Sequence, residues 1–151
     1  MMNSTKIIQF WNQIRKGLIE TIEKFSDEEL NYVPFEGGYS VRQIMLHIAQ
    51  EEYGEIQYGI TRKLDAFPPP YPQDLYATID SIKGLLATVH EDTGRLLESL
   101  ADEDLSKKIE AGWGGTYVLI DMIWHVMEHE IHHRGELSLI LGLFGREGLD
   151  A

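Results

Sequence analysis

Apolar side chains return every third or fourth residue through four long stretches of this chain, the spacing of amphipathic helices rather than the alternation of strands. The first stretch covers residues 5–25, with Ile8, Trp11, Ile14, Leu18 and Ile22 on one stripe. The second covers residues 40–63. Its apolar face is Val41, Ile44, Met45, Ile48 and Ala49, and Ser40 with Gln43 forms a capping box at its start. The third covers residues 78–100, with Ile82, Leu85, Leu86, Val89, Leu96 and Leu97 as its stripe. The fourth runs from about residue 116 to 143 and is ended by Gly145. Ser26 and Glu29 predict a short capped turn after the first helix. Pro68, Pro69, Pro70 and Pro72 forbid helix and predict an extended linker, and Trp113-Gly114-Gly115 marks the tip of the connection over residues 101–115. No strand is predicted, which excludes parallel-sheet folds. The expectation is an all-α four-helix bundle forming a single domain over residues 1–151.

Composition narrows the chemistry. At 151 residues, roughly 70% of the unfolded surface can be buried, enough for a real core. There is no cysteine, so disulfides, thiolate metal ligands and a cysteine nucleophile are excluded, and any metal must be held by nitrogen and oxygen. The net charge of −12 repels nucleic acid and anionic membranes. The N-terminus lacks a signal peptide's apolar run and no stretch approaches a membrane span, so the expected protein is soluble and cytoplasmic.

The histidines change the picture more. Four of the six fall at His125, His129, His132 and His133, on the fourth helix. That helix's apolar seam reads Met122, Val126, His129, His133, Leu137, Ile140, in steps of three and four. Two adjacent core positions are thus given to imidazole, which is unfavourable unless the nitrogens have partners; a divalent metal is one such partner. On the second helix Ile44, His47 or Ile48, and Glu51 lie along one side. If the bundle brings the middles of these helices together, His47, His129 and His133 form a three-nitrogen site with an open position, the arrangement of catalytic rather than structural metal centres. Glu51, one turn after His47, could orient a ligand or accept a proton, and is the candidate catalytic residue. His125 precedes His129 by one turn and is a lesser candidate, while His132 and His90 read as surface or supporting residues. Trp113, Tyr117 and Trp124 would wall a pocket or pack in the core. Arg134 would bind a substrate carboxylate or make a surface ion pair.

His129-Glu130-Ile131-His132-His133 also matches H-E-x-x-H, the zincin protease motif. The extension of that motif fails, because Glu136 and Leu139 stand where a glycine and a third histidine belong, and no edge strand is predicted to hold a peptide. Glu130 projects about 100° around the helix from His129, away from the triad.

Two segments resemble the DinB/YfiT-like family of metal-dependent proteins. Tyr39-Ser40 through His47 to Glu52 is similar to its W-S-x-x-x-x-x-x-H-x-x-x-x-E stretch, with tyrosine in place of the usual tryptophan. His129 to Glu136 is similar to its H-x-x-x-H-R-G-[QE] signature, followed by Leu143-Phe144-Gly145. The resemblance implies an up-down-down-up bundle, usually a homodimer, with His47, His129 and His133 as ligands of one divalent metal, nickel or zinc. It further implies a small-molecule substrate and a low-molecular-weight thiol of the bacillithiol or mycothiol kind, hence a thiol S-transferase. Metal-assisted hydrolysis, or metal binding without turnover, are the alternatives.

Overall fold

Four helices account for most of the computed structural model, which describes residues 3–148. They are α1 (Ser4–Ile22), α2 (Val41–Gly54), α3 (Ile79–Ser99) and α4 (Leu119–Leu143). The helix starts follow local chemistry. Asn3 caps α1 by accepting from the Lys6 N–H, Ser40 and Gln43 complete their reciprocal capping box, and Thr78 and Ser81 do the same for α3. After α4, Gly145 takes a left-handed φ of 76°, and the Arg146 N–H reaches back to the Leu141 carbonyl at 2.9 Å. This is the glycine-dependent closure expected from the sequence. The Ser26 turn is also present, with the Ser26 N–H donating to Glu29 at 2.8 Å.

Each helix packs against two others: α1 on α3 and α4, and α2 on the same pair. Side-chain pairings give the directions. Along α1, Asn12 meets His90 and Glu23 meets Lys83, so α1 and α3 are antiparallel. Trp11 meets Glu130 and Phe25 meets Phe144, so α1 and α4 are parallel. Arg42 reaches the Tyr76 carbonyl and Glu52 reaches His90, so α2 and α3 run the same way. His47 meets His133 whereas Glu55 faces His125, so α2 opposes α4. The order is up-down-down-up. Parallel neighbours cannot be joined by a tight turn, and the proline-rich segment between α2 and α3 supplies the return path along the bundle. Leu18, Ile22, Met45, Ile48, Ile82, Leu86 and Leu137 fill one half of the core, and Trp11, Ile56, Leu97, Leu119 and Ile123 the other.

Three features depart from the sequence expectation. A two-stranded antiparallel hairpin, β1 (Lys108–Glu110) and β2 (Thr116–Val118), occupies a region expected to be connection and helix start. Three-residue strands are too short to show alternation. The second helix changes pitch at its end: Glu55–Ile60 is a π-helical turn, closed by the Thr61 N–H on the Ile56 carbonyl at 2.9 Å. Trp124 is half exposed on α4 and lines a cavity with Ile7, Phe10 and Met127 that includes none of the triad histidines. Among the described residues, no helix is long and apolar enough to cross a membrane.

Candidate metal centre

The α2–α4 contact brings three imidazoles to one point. His129 Nε2 lies 3.1 Å from His47 Nε2 and 3.0 Å from His133 Nε2. The single turn between His129 and His133 sets their rings edge to face along α4, with centroids 4.3 Å apart, and the antiparallel α2 inserts His47 edge-on at 4.9 Å from each. Ile48, the alternative to His47 on the sequence, is fully buried in the core.

Protonation cannot account for this geometry. His133 donates Nδ1–H to Glu136 at 2.7 Å, so in the neutral ring its Nε2 carries only a lone pair. One proton on His129 Nε2 could serve one of the two contacts, leaving the other as a pair of facing acceptors. Burial pushes His129 far down, to about 3, reinforced by His133 and His47, and burial also lowers His133 against the upward pull of Glu136. The His129 and His133 rings are therefore neutral near pH 7, the state that ligates metal with least competition from protons. Bond lengths near 2.0–2.1 Å place two imidazole nitrogens on one ion roughly 2.9–3.4 Å apart. The donor set and its spacing fit a divalent ion, with nitrogen from three residues and no fourth protein ligand gathered at the same point among the described residues.

Supporting groups are unevenly used. Glu136 accepts from His133 and also lies 3.4 Å from His132, whose ring is largely exposed. Glu51 stands beside His47, its carboxylate 3.8 Å from Nδ1, and its side chain makes no hydrogen bond among the described residues. His125 is outside the cluster, exposed, 3.9 Å from Glu55. Arg134 makes no ion pair among the described residues.

A second polar cluster, unforeseen from the sequence, lies deeper between the helices. Arg15 of α1 is buried and donates to both oxygens of Glu130, at 2.8 and 2.9 Å, to the Leu86 carbonyl at 2.8 Å, and to Glu52. Trp11 Nε1 adds a bond to Glu130 at 2.9 Å, and His90 bridges Glu52 at 2.8 Å to Asn12 at 3.0 Å. Burial alone would raise the Glu52 carboxyl, but Arg15 and His90 beside it hold it down at about 2. Glu130 does point away from the triad, as helical geometry required, and its destination is Arg15. His90, read as surface or supporting, belongs to this hub.

Comparison with known proteins agrees with the fold. The model of the DinB family matches residues 1–150. The chain is 26% identical over 151 residues to the uncharacterized protein YjoA of Bacillus subtilis, covering 99% of this chain and 96% of that protein. It is 26% identical over 153 residues to the "Putative metal-dependent hydrolase YfiT" of the same organism, covering 91% and 85%. Among solved structures, a DinB-like protein from Bacillus cereus superposes with a TM-score of 0.77 at 16% identity, covering 96% and 95% of the two chains. A mycothiol-dependent maleylpyruvate isomerase shares the fold at a TM-score of 0.61 and 9% identity, covering 87% of this chain and 60% of its own.

Proposed function

The chain belongs to the DinB family, and on that premise we propose that it is a metal-dependent enzyme. His47, His129 and His133 hold one divalent ion, zinc or nickel, and the reaction is transfer of a low-molecular-weight thiol, of the bacillithiol type, to an electrophile. The observation that carries this reading is the meeting of three Nε2 atoms at 3.0–3.1 Å with no proton arrangement that satisfies both contacts. A divalent ion at that point supplies a Lewis acid that lowers the pKa of a thiol or a water sharing the site. The chain has no cysteine, so the reacting sulfur comes from a cosubstrate. The thiol dependence of the fold's isomerase relative supports the same assignment.

The chain's own residues divide the remaining work. Glu136 fixes the tautomer and tilt of His133 by accepting its Nδ1–H. Glu51 is the proton acceptor: Glu136 is engaged by His133, whereas Glu51 carries no hydrogen bond among the described residues and is partly open to solvent. The acidic surface keeps nucleic acids away, so the partners are small molecules and, by the resemblance, a second copy of the chain in a cytoplasmic homodimer.

Metal-assisted hydrolysis is the second reading, favoured by the name of the relative YfiT. The test has two parts. Elemental analysis should find about one ion per native chain and none in the His129→Ala, His133→Ala double variant; equal metal in both sinks the site. Metal-loaded protein should then conjugate monochlorobimane with one of bacillithiol, mycothiol, glutathione or coenzyme A. Silence with all four, from protein shown to carry metal, rejects thiol transfer and leaves hydrolysis.

A further inference from the structure

One turn along the α2–α4 groove from the triad, the lining changes from imidazole to carboxylate and aromatic. The π-helical turn Glu55–Ile60 is the reason. It presents Glu55, and it lets the β1–β2 hairpin tip close over the groove. The Gly112 N–H donates to the Gly59 carbonyl at 3.1 Å, and a Cβ on Gly59 would run into the Trp113 ring. A Cβ on Gly112 would run into the Tyr58 carbonyl. Gly114 and Gly115 take the left-handed φ values, 91° and 89°, that turn the chain at the tip. Trp113 is held between Tyr58 and Tyr117, at ring distances of 6.2 Å from each. The result is a cleft of about 430 Å³ walled by Trp113, Tyr117 and Met122, with Glu55, Asp121 and His125 as its polar members.

Glu55 is out of place there as a structural residue. It is only 9% exposed, yet its Oε2 has no hydrogen-bond partner among the described residues. Among the described residues its other oxygen faces only the exposed His125 ring, at 3.9 Å. A buried carboxylate oxygen without a partner is unfavourable. Burial pushes its pKa up, with Glu51 adding to the rise and His125 opposing it. No lysine or arginine lines the cleft, and Asp121 adds a second carboxylate. Aromatic faces with an anion and no protein cation are the surroundings in which a ligand cation is stabilised.

We propose that this cleft binds a protonated amine carried on an apolar or aromatic body, with Glu55 as its anion and Trp113 and Tyr117 as its walls. It deepens the reading of the triad as a metal centre and rests on it in one respect: the cleft would hold the part of the substrate remote from the reacting atom. The amine pairs with the Glu55 carboxylate through Oε1, the oxygen on the side of the cleft-lining His125, and supplies the positive charge that the buried carboxylate lacks. The body lies against the hairpin tip, where indole and phenol faces exclude water from the ion pair.

Calorimetric titration of metal-free native protein with phenethylamine, phenethyl alcohol and phenylacetate tests this without any contribution from amine–metal bonding. The amine should bind at least ten-fold tighter than the alcohol, and the carboxylate weakest. Glu55→Gln, checked for native helicity and melting temperature, should reduce the amine's advantage to less than three-fold, and Trp113→Ala should weaken amine and alcohol alike. Equal binding of amine and alcohol to native protein would overturn the proposal, and so would an advantage that survives in Glu55→Gln. Because the native protein alone separates amine from alcohol, a variant that misfolds does not blunt the test. The metal reading fails separately: it is decided by bound zinc in the native and double-variant chains, whatever the amine does.

Discussion

Two polar clusters interrupt the apolar interior of this bundle, and they are built on opposite principles. The hub around Arg15 gathers two carboxylates, an indole N–H and a backbone carbonyl around a cation that the chain itself provides. The triad gathers three imidazole nitrogens around a point where the chain provides none. The hub takes a partner from every helix: Arg15 from α1, Glu52 from α2, Leu86 and His90 from α3, Glu130 from α4. The triad draws on α2 and α4 only. A self-satisfied buried network fixes how elements meet, whereas a cluster of like groups lacking its counter-charge is arranged for something that arrives from outside. Both draw on the same two helices: His47 and Glu52 lie five residues apart on α2, and His129 and Glu130 are consecutive on α4. Adjacent residues on α4 therefore face different tasks, which disposes of the protease-like reading of His129-Glu130. In this structure the glutamate of that pair is the bidentate partner of an arginine, not a free base.

The contrast is broken most forcefully at the hub. Arg15→Ala leaves two buried carboxylates without their cation, and such losses run to about 3–5 kcal/mol. Urea unfolding should show that loss, or no folded protein at all, while removal of two triad histidines leaves folding intact. If Arg15→Ala unfolds no more easily than the double histidine variant, the hub is not the tie between helices described here. Acid should separate the clusters too. In metal-free protein His129 is held at about 3 against an ordinary 6.5. The unfolded chain thus takes up this proton first, and stability falls as pH drops from 6.5 toward 3. Glu52, held at about 2 against 4.5, contributes stability that is complete above 4.5 and lost between 4.5 and 2. His129→Ala should shrink the upper leg of the stability–pH curve, with His133 supplying what remains, and leave the lower one.

Metal sharpens the comparison from the other side. An ion that binds the folded chain alone stabilises it by about 2.7 kcal/mol at a hundred times its dissociation constant. Zinc or nickel should raise the melting temperature of native protein and leave the double variant where it was. An equal rise in both would mean that the ion binds elsewhere. The exposed His132 with Glu136 is the obvious competitor, and His132→Ala should leave the rise unchanged.

The clusters also differ in how far the sequence disclosed them. The triad was legible because histidine at a seam position violates the helical pattern and calls for an explanation. His129 and His133 fall in the rhythm of Val126, Leu137 and Ile140, and His47 sits one step from Ile44 and Ile48. The hub was not legible, for the same reason in reverse. Charged residues register as surface, so the apolar pattern places the α1 stripe on Ile8 and Ile14, whereas the buried face runs through Ile7, Trp11, Arg15, Leu18 and Ile22. Arg15 lies four residues after Trp11 and three before Leu18, which is a core position by spacing alone. Its pairing with Glu52 and Glu130 spans 37 and 115 residues, a complementarity that no single helix displays. The hairpin and the π-helical turn were hidden differently: both depend on glycines meeting aromatics across the fold, not on any local period.

Smaller effects belong to the carboxylates at the edge of the triad, and here the comparison turns inward. Glu136 is bonded to His133 at 2.7 Å, and losing such a partner lowers metal affinity by about ten- to a hundred-fold. Glu136→Gln should fall in that range in a zinc competition assay. Glu51 lies 3.8 Å from His47 Nδ1, beyond hydrogen-bond reach, so Glu51→Gln should change zinc affinity by less than about three-fold, and stability by less than about 0.5 kcal/mol as surface substitutions do. That near-silence is what makes the variant informative. A residue that only orients His47 would show its effect in metal binding and nowhere else. A proton acceptor would leave the metal in place and lower turnover by about 10²–10⁴, with the low-pH limb of the rate profile removed. Full activity in zinc-loaded Glu51→Gln would strike Glu51 from the mechanism while leaving the triad untouched.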